Sequence, residues 1–237
     1  PRNFWLVIDN GTNFANSDPG AVSFRVGDGN DFIFTLSTSE NGSYDYRDGQ
    51  WHHVAVVVDD GNDKAEMFID GNSVDVDNFS GKNVWTNSAP MYFGEEIGGN
   101  RNFDGSLDEI RLWSDVRTKN EIQDNMHKML NVNNHSNLAG YWKLENGSGQ
   151  TVTDETSNGN DGRLGSSSSS DSEDPAWAGS LAAIGDLEDY DNDMDGIWKS
   201  KKADTAQEFI VNASSSTLNN GDFAVFGHNN EAGETTL

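Results

Sequence analysis

The run Asp189-Tyr190-Asp191-Asn192-Asp193-Met194-Asp195-Gly196 sets carboxylates at alternate positions ahead of a glycine. An EF-hand-type loop wraps a hard cation in this way, with side-chain oxygens at its first, third and fifth positions and a sharp turn at the sixth. Counting from Asp191 puts Asp193, Asp195 and Gly196 in register. The twelfth position, where a bidentate Glu would close the loop, is Lys202, which cannot ligate. Ile197-Trp198 after the glycine reads as a strand and no helix precedes the run, so this is not an EF-hand. Two readings stay open. One is a weaker calcium turn with Asp191, Asp193 and Asp195 as ligands, completed by Asp189, Glu188 or a carbonyl. Its role would be to stiffen the turn, since clustered carboxylates repel one another until a cation neutralises them. The other is an acidic turn between two units.

Other chemistry finds less footing. Gly-x-Ser-x-Gly elbows, metal-binding Glu-x-x-His helices and phosphate-cradling loops ending in Lys-Ser/Thr are absent, and Gly147-Ser148-Gly149 is only a turn. Without cysteine there is no disulfide and no thiolate–zinc site. The five histidines are scattered. His52 and His53 have no partner at metal spacing and read as cross-strand residues. Sugar rings stack on exposed aromatic faces. Trp85, in the polar stretch Lys82–Ser88, with Tyr92 close by in sequence, is the candidate platform. The alternative is a loop tryptophan folded onto a sheet edge.

The elements that must position these groups are short and β-rich. Phe4–Ile8, Ala21–Val26, Phe32–Leu36, His53–Val58 and Ala65–Ile69 are β-branched or aromatic runs bounded by Asp-Gly, Asn-Gly and similar turn signals. Met91–Gly94, Leu107–Trp113 and Leu138–Leu144 continue the pattern. Two stacked antiparallel sheets are the natural packing for so many strands. Thr118-Lys119-Asn120-Glu121 is a capping box, and Ile122, Met126, Met129 and Leu130 share one helical face, which predicts a helix near 118–130. The five serines from Ser166 to Ser170 read as a flexible loop or linker. Beyond residue 180, Asp195–Trp198, Glu208–Val211 and Asp222–His228 read as strands of a second unit.

With 15 basic and 40 acidic residues, the net charge of −25 repels phosphate backbones and anionic membranes. Nucleic acid is excluded as a partner on that ground, while cations, neutral glycans and basic proteins are not. No apolar run is long enough to span a bilayer as a helix, so no membrane insertion is expected.

The run Asp48-Gly49-Gln50-Trp51-His52-His53-Val54-Ala55-Val56 resembles a signature of laminin-G-like, concanavalin A-like (pentraxin-type) jelly-roll domains of secreted bacterial proteins. Met67-Phe68-Ile69-Asp70-Gly71 fits the hairpin that follows in that family. Phe103-Asp104-Gly105-Ser106-Leu107-Asp108-Glu109-Ile110-Arg111-Leu112-Trp113, then Arg117 and the helix, match its later motif. Leu138–Leu144, Asp154 and Asn158–Gly162 resemble the segment that often follows. The resemblance implies an all-β, antiparallel two-sheet sandwich (jelly roll) with one short α-helix over residues 1–180, and a partial second β unit over 181–237. It also implies that the family's opening strands precede Pro1. Trp51 and Trp142 are expected to anchor the core, and Asp108 or Glu109 to pair with Arg111 or Arg117. Laminin-G-like domains often bind calcium at a sandwich rim.

The fold also hosts glycosidases, which need two converging carboxylates. Their Glu-x-Asp-x-Glu strand is missing here. The expectation is therefore a non-catalytic module of a large extracellular or cell-surface bacterial protein that binds a glycan or another extracellular protein. A structural spacer is the alternative, and a glycoside-active enzyme the third reading.

Overall fold

The structure, a computed structural model, describes residues 4–10, 18–28, 31–41, 44–82, 84, 88, 90–94, 102–165, 167–172, 174–179, 182, 184, 197–198 and 209–210. The chain forms two compact units, Pro1–Asp189 and Tyr190–Leu237.

In the first unit, β1 (Phe4–Ile8), β2 (Val22–Gly27) and β3 (Phe32–Ser37) form one antiparallel sheet. A second antiparallel sheet holds β4 (Val54–Asp59), β5 (Lys64–Ile69) and β6 (Asn72–Asn78). Alternation decides which side chains meet. Ala65, Met67 and Ile69 of β5 are buried and join Val22, Phe24 and Val26 of β2, Phe34 and Leu36 of β3, and Phe79 in one core. Val54, Val56 and Val58 pack against that core, as their period of two predicts. Each large side chain removed from water there contributes about 1.5–3 kcal/mol. Ser37 N–H donates to Asp75 Oδ2 at 2.7 Å, a polar stitch between the sheets.

The Asp70-Gly71 signal becomes a two-residue turn with φ of 50° and 72°, closing the Ile69–Asn72 pair. Positive φ at both positions is what a type I′ hairpin requires. A side chain at Gly71 would lie 2.8 Å from Gln123 Cγ, because the helix rests on this turn. Gln123 Nε2 also donates to the Gly71 carbonyl at 2.8 Å.

That helix, α1 (Lys119–Asn125), is the one α-helix among the described residues and starts with the expected capping box between Thr118 and Glu121. It ends at Asn125, short of the predicted 130. There the chain leaves the helix in a turn, the Lys128 N–H on the Asn125 carbonyl at 3.1 Å, and the Arg111 guanidinium also donates to the freed carbonyls of Asn125 and Lys128. Leu130 is buried all the same, in a second cluster with Leu138, Tyr141, Trp113 and Val132. There β7 (Ile110–Trp113) pairs with β8 (Leu138–Trp142), and β9 (Thr151–Val152) with β10 (Gly162–Arg163). Asp154 ties β8 to the next loop: its carboxylate accepts the backbone N–H of Tyr141, Thr156 and Asn160.

Three predicted strands are shorter or missing. Met91–Gly94 is irregular, β7 begins only at Ile110, and β8 ends at Trp142. In the second unit β11 (Ile197–Trp198) pairs antiparallel with β12 (Phe209–Ile210), and the predicted strand at 222–228 lies outside the described residues. Among the described residues no helix is long and apolar enough to cross a membrane.

Candidate functional site

Trp85, Asp191, Asp193 and Asp195 lie outside the described residues. Tyr92 stands half exposed on an irregular segment, and its neighbour Phe93 sets its ring 5.2 Å from Trp142. Phe103 comes back to the same segment, its N–H donating to the Gly94 carbonyl at 2.7 Å, and is itself exposed. Among the described residues no group of three or more His, Cys, Asp or Glu side chains could hold a metal ion.

Trp142 is buried, with its indole N–H on the Asn160 carbonyl at 2.9 Å, the anchor the sequence implies. Trp51 is not. It is 38 % exposed, because β4 begins only at Val54 and the strand's alternation does not reach back to residue 51. His52 and His53 likewise precede the strand, yet His53 still faces Asp70 across the hairpin, its carbonyl accepting the Asp70 N–H at 2.8 Å.

Instead, residues 44–53 form a polar and aromatic cluster against the β5–β6 turn. Asp48 accepts the Gln50 N–H at 2.8 Å and the Tyr44 hydroxyl at 2.6 Å. His52 lies between two carboxylates, with Nδ1 2.9 Å from Asp70 Oδ2 and Nε2 3.3 Å from Asp48 Oδ1. Asp70 Oδ1 takes the His53 N–H at 2.8 Å. The His52 ring meets Tyr44 and Tyr46 edge-on, and those two rings stand 4.7 Å apart. A neutral imidazole donates from one nitrogen only, so a carboxylate at each nitrogen selects the imidazolium. Burial works against that charge, but hydrogen bonds and charge from Asp70 and Asp48 outweigh it and raise the His52 pKa. The Tyr44 hydroxyl, the Gln50 N–H and His52 together hold the Asp48 carboxyl below its usual range. Asp48 lies four residues before His52, a proximity that the sequence reading did not single out. Asp70 joins them only because the β5–β6 turn folds back beside residue 53.

A second cluster is internal. Glu109 Oε2 lies 2.7 Å from an Arg111 guanidinium nitrogen and 2.5 Å from the Tyr141 hydroxyl, with both side chains of the ion pair nearly buried. This is the pairing expected for the Asp108-Glu109 motif. Arg117 instead stacks 4.1 Å over Trp113 and pairs with Asp115 and Glu121.

This architecture matches a known pattern. Residues 3–123 match the family model of the concanavalin A-like lectin/glucanases superfamily. The chain belongs to that superfamily. Among solved structures, this concanavalin A-like chain is similar to a "putative carbohydrate binding protein" from Bacteroides ovatus, at 23 % identity and a TM-score of 0.54. The match covers 67 % of this chain and 44 % of that one, so the chain spans less than half the length of the Bacteroides protein. A domain of an S-layer domain-containing protein from Clostridium thermocellum matches at 19 % identity over 52 % of this chain and 63 % of that one, with a TM-score of only 0.25. No curated protein matches the chain. At 23 % identity the likeness to the Bacteroides protein is one of fold alone.

Proposed function

We propose that residues 1–180 are a non-catalytic, glycan-binding module of an extracellular or cell-surface bacterial protein, followed by a second β-rich unit. One observation carries the reading: aromatic side chains stand exposed on loops of the sandwich, with Tyr92 at 50 % and Tyr44 at 51 %. Burying such rings against water is favourable, and a sugar's apolar face offers the matching surface. The lectin-like fold supports it further.

The carboxylates of the two clusters described above offer no free pair for glycoside hydrolysis. A glycosidase needs two of them free to flank the scissile bond. Asp48, Asp70 and Glu109 are each already engaged by protein donors. The module is therefore expected to be retained on polysaccharide gels without cleaving them. Trp85→Ala should weaken retention on at least one polysaccharide with the fold intact. Unchanged retention across a broad neutral panel would remove that residue from the platform, and binding to a protein ligand alone would move the module to the adhesion class.

Calcium at Asp191, Asp193 and Asp195 is the accompanying proposal, supported by their alternation ahead of Gly196. Millimolar calcium should then raise a thermal transition of EDTA-treated protein, by up to about 3 kcal/mol of stabilisation at a hundredfold excess over Kd. Asp193→Asn with Asp195→Asn should abolish the rise. A transition indifferent to calcium leaves an acidic turn.

A further inference from the structure

Between Tyr44 and His52 the loop displays Tyr44, Asp45, Arg47, Asp48 and Trp51, and all but His52 and Tyr46 of its side chains lie in exposed positions. We propose that this loop is a sugar-binding site, in which a neutral pyranose ring stacks on Tyr44, its hydroxyls reach the Asp45–Arg47 pair, and His52 acts as the positioning residue. The proposal rests on the glycan-binding reading above and assigns it a place and a ligand class.

Tyr44 is the first reason. A half-exposed tyrosine on a loop ordinarily keeps its rotamer freedom, which a ligand must then freeze at a cost in affinity. This ring is already held by three neighbours: its hydroxyl on Asp48, the tilted Tyr46 ring at 4.7 Å, and the His52 ring at 6.1 Å. The loop beneath it is anchored too, by the Tyr46 N–H on the Gly20 carbonyl at 3.0 Å. A rigid aromatic ring facing water is prepared for stacking.

The neighbouring polar pair is the second reason. Arg47 and Asp45 form a two-point fork at 2.8 and 2.7 Å, and both remain about half exposed. The fork presents unused N–H donors and carboxylate lone pairs side by side, which adjacent hydroxyls of a sugar can satisfy together. Asp45, Asp48 and Asp70 in the same place, on a chain of net charge −25, disfavour uronate or sulfated sugars. That leaves neutral glycans.

His52 links the ring support to the sandwich. The groups that face it are Tyr44, Tyr46 and Asp48 from its own loop and Asp70 from the β5–β6 turn. As imidazolium it donates to both carboxylates. Once neutral it can donate to one, and the longer link, to Asp48, is the one to go. Asp48 is also what holds the Tyr44 hydroxyl, so the platform loosens as His52 loses its proton.

The test is affinity electrophoresis of the whole chain through neutral polysaccharides (mannan, xylan, a mixed-linkage glucan, starch) and through polygalacturonate, at pH 6 and pH 8.5. Melting curves report the fold of each variant. Binding to a neutral polymer and not to polygalacturonate is expected, about tenfold weaker in Tyr44→Ala. Wild type should weaken several-fold at pH 8.5, and His52→Asn should be weak at both pH values with a flat profile. Should Tyr44→Ala fail to fold, Arg47→Ala, at a side chain about half exposed, serves in its place with the same expectation. Full retention by the folded variants on every polymer that wild type binds would overturn this site and leave the glycan-binding reading standing. Absence of wild-type binding to any polymer would overturn both.

Discussion

Replacing Glu109 by alanine is expected to destabilise the first unit by about 3–5 kcal/mol, the cost of removing one partner from a buried ion pair. The side chains of Glu109 and Arg111 are only 8 % and 10 % exposed. Glu109 Oε2 is the acceptor for both the guanidinium and the Tyr141 hydroxyl, so alanine leaves two buried donors short of a partner at once. Burial pushes the Glu109 carboxyl up, and the hydrogen bonds from Tyr141 and Arg111 oppose that rise without cancelling it. The pair is thus held by its geometry and its hydrogen bonds, and gains little from desolvation. Arg111 also caps the carbonyls at the end of α1, so loosening it reaches the helix. A unit of this size should lose on the order of 10 °C in Tm. Glu109→Gln, which keeps an acceptor but not the charge, should lose less than half as much. Equal losses for alanine and glutamine would show that charge, not the acceptor, holds this corner. A loss under 1 kcal/mol for alanine would show that the pair is dispensable.

The second large effect is a loss of stability on acidification through His53. Burial, the Arg111 guanidinium and His127 together bring the His53 pKa down from its ordinary value to about 4. Its Nδ1 is enclosed and has no hydrogen-bond partner among the described residues. Above pH 6.5 both folded and unfolded chains hold this ring neutral, so its contribution is fully present. Below 6.5 the unfolded chain takes up a proton that the folded chain refuses until about pH 4. Across that window the cost approaches about 3 kcal/mol. Its neighbour works the other way: the raised pKa of His52 contributes stability below its unfolded value that is lost as pH rises through the folded one. Denaturant melts between pH 7.5 and 4 should therefore show a steep acid loss in wild type that His53→Phe reduces. A variant whose pH profile runs parallel to wild type would mean that His53 does not titrate in this window. His52→Asn should remove stability on the acid side and little above pH 8.

These two histidines also mark the limit of what a linear chain discloses. The sandwich was legible residue by residue: alternating Val54, Val56 and Val58, the Asp70-Gly71 turn and the Thr118–Glu121 cap follow from local periodicity and turn chemistry, and the buried Trp142 from the family resemblance. The pairing of Glu109 with Arg111 was legible too, being two residues apart. Errors came where a remote group intervened. The apolar face through Leu130 reads as helix, but the chain turns out of it after Asn125, where Arg111 from β7 meets the carbonyls of Asn125 and Lys128. Trp51 reads as core by its motif, but the strand that would have turned it inward starts three residues later.

By itself the sequence determined the fold class, the strand alternation, the acidic character and the partners that character disfavours. Those are properties of local spacing and of summed charge, which no fold is needed to evaluate. The tertiary structure alone decided that adjacent histidines would have opposite lives, one between two carboxylates at the surface and one enclosed beside a guanidinium. Asp70 lies eighteen residues from His52 and Arg111 far beyond it. Only hairpin closure and sheet packing bring such charges within hydrogen-bond or Coulomb range, and those distances set whether a proton stays or leaves.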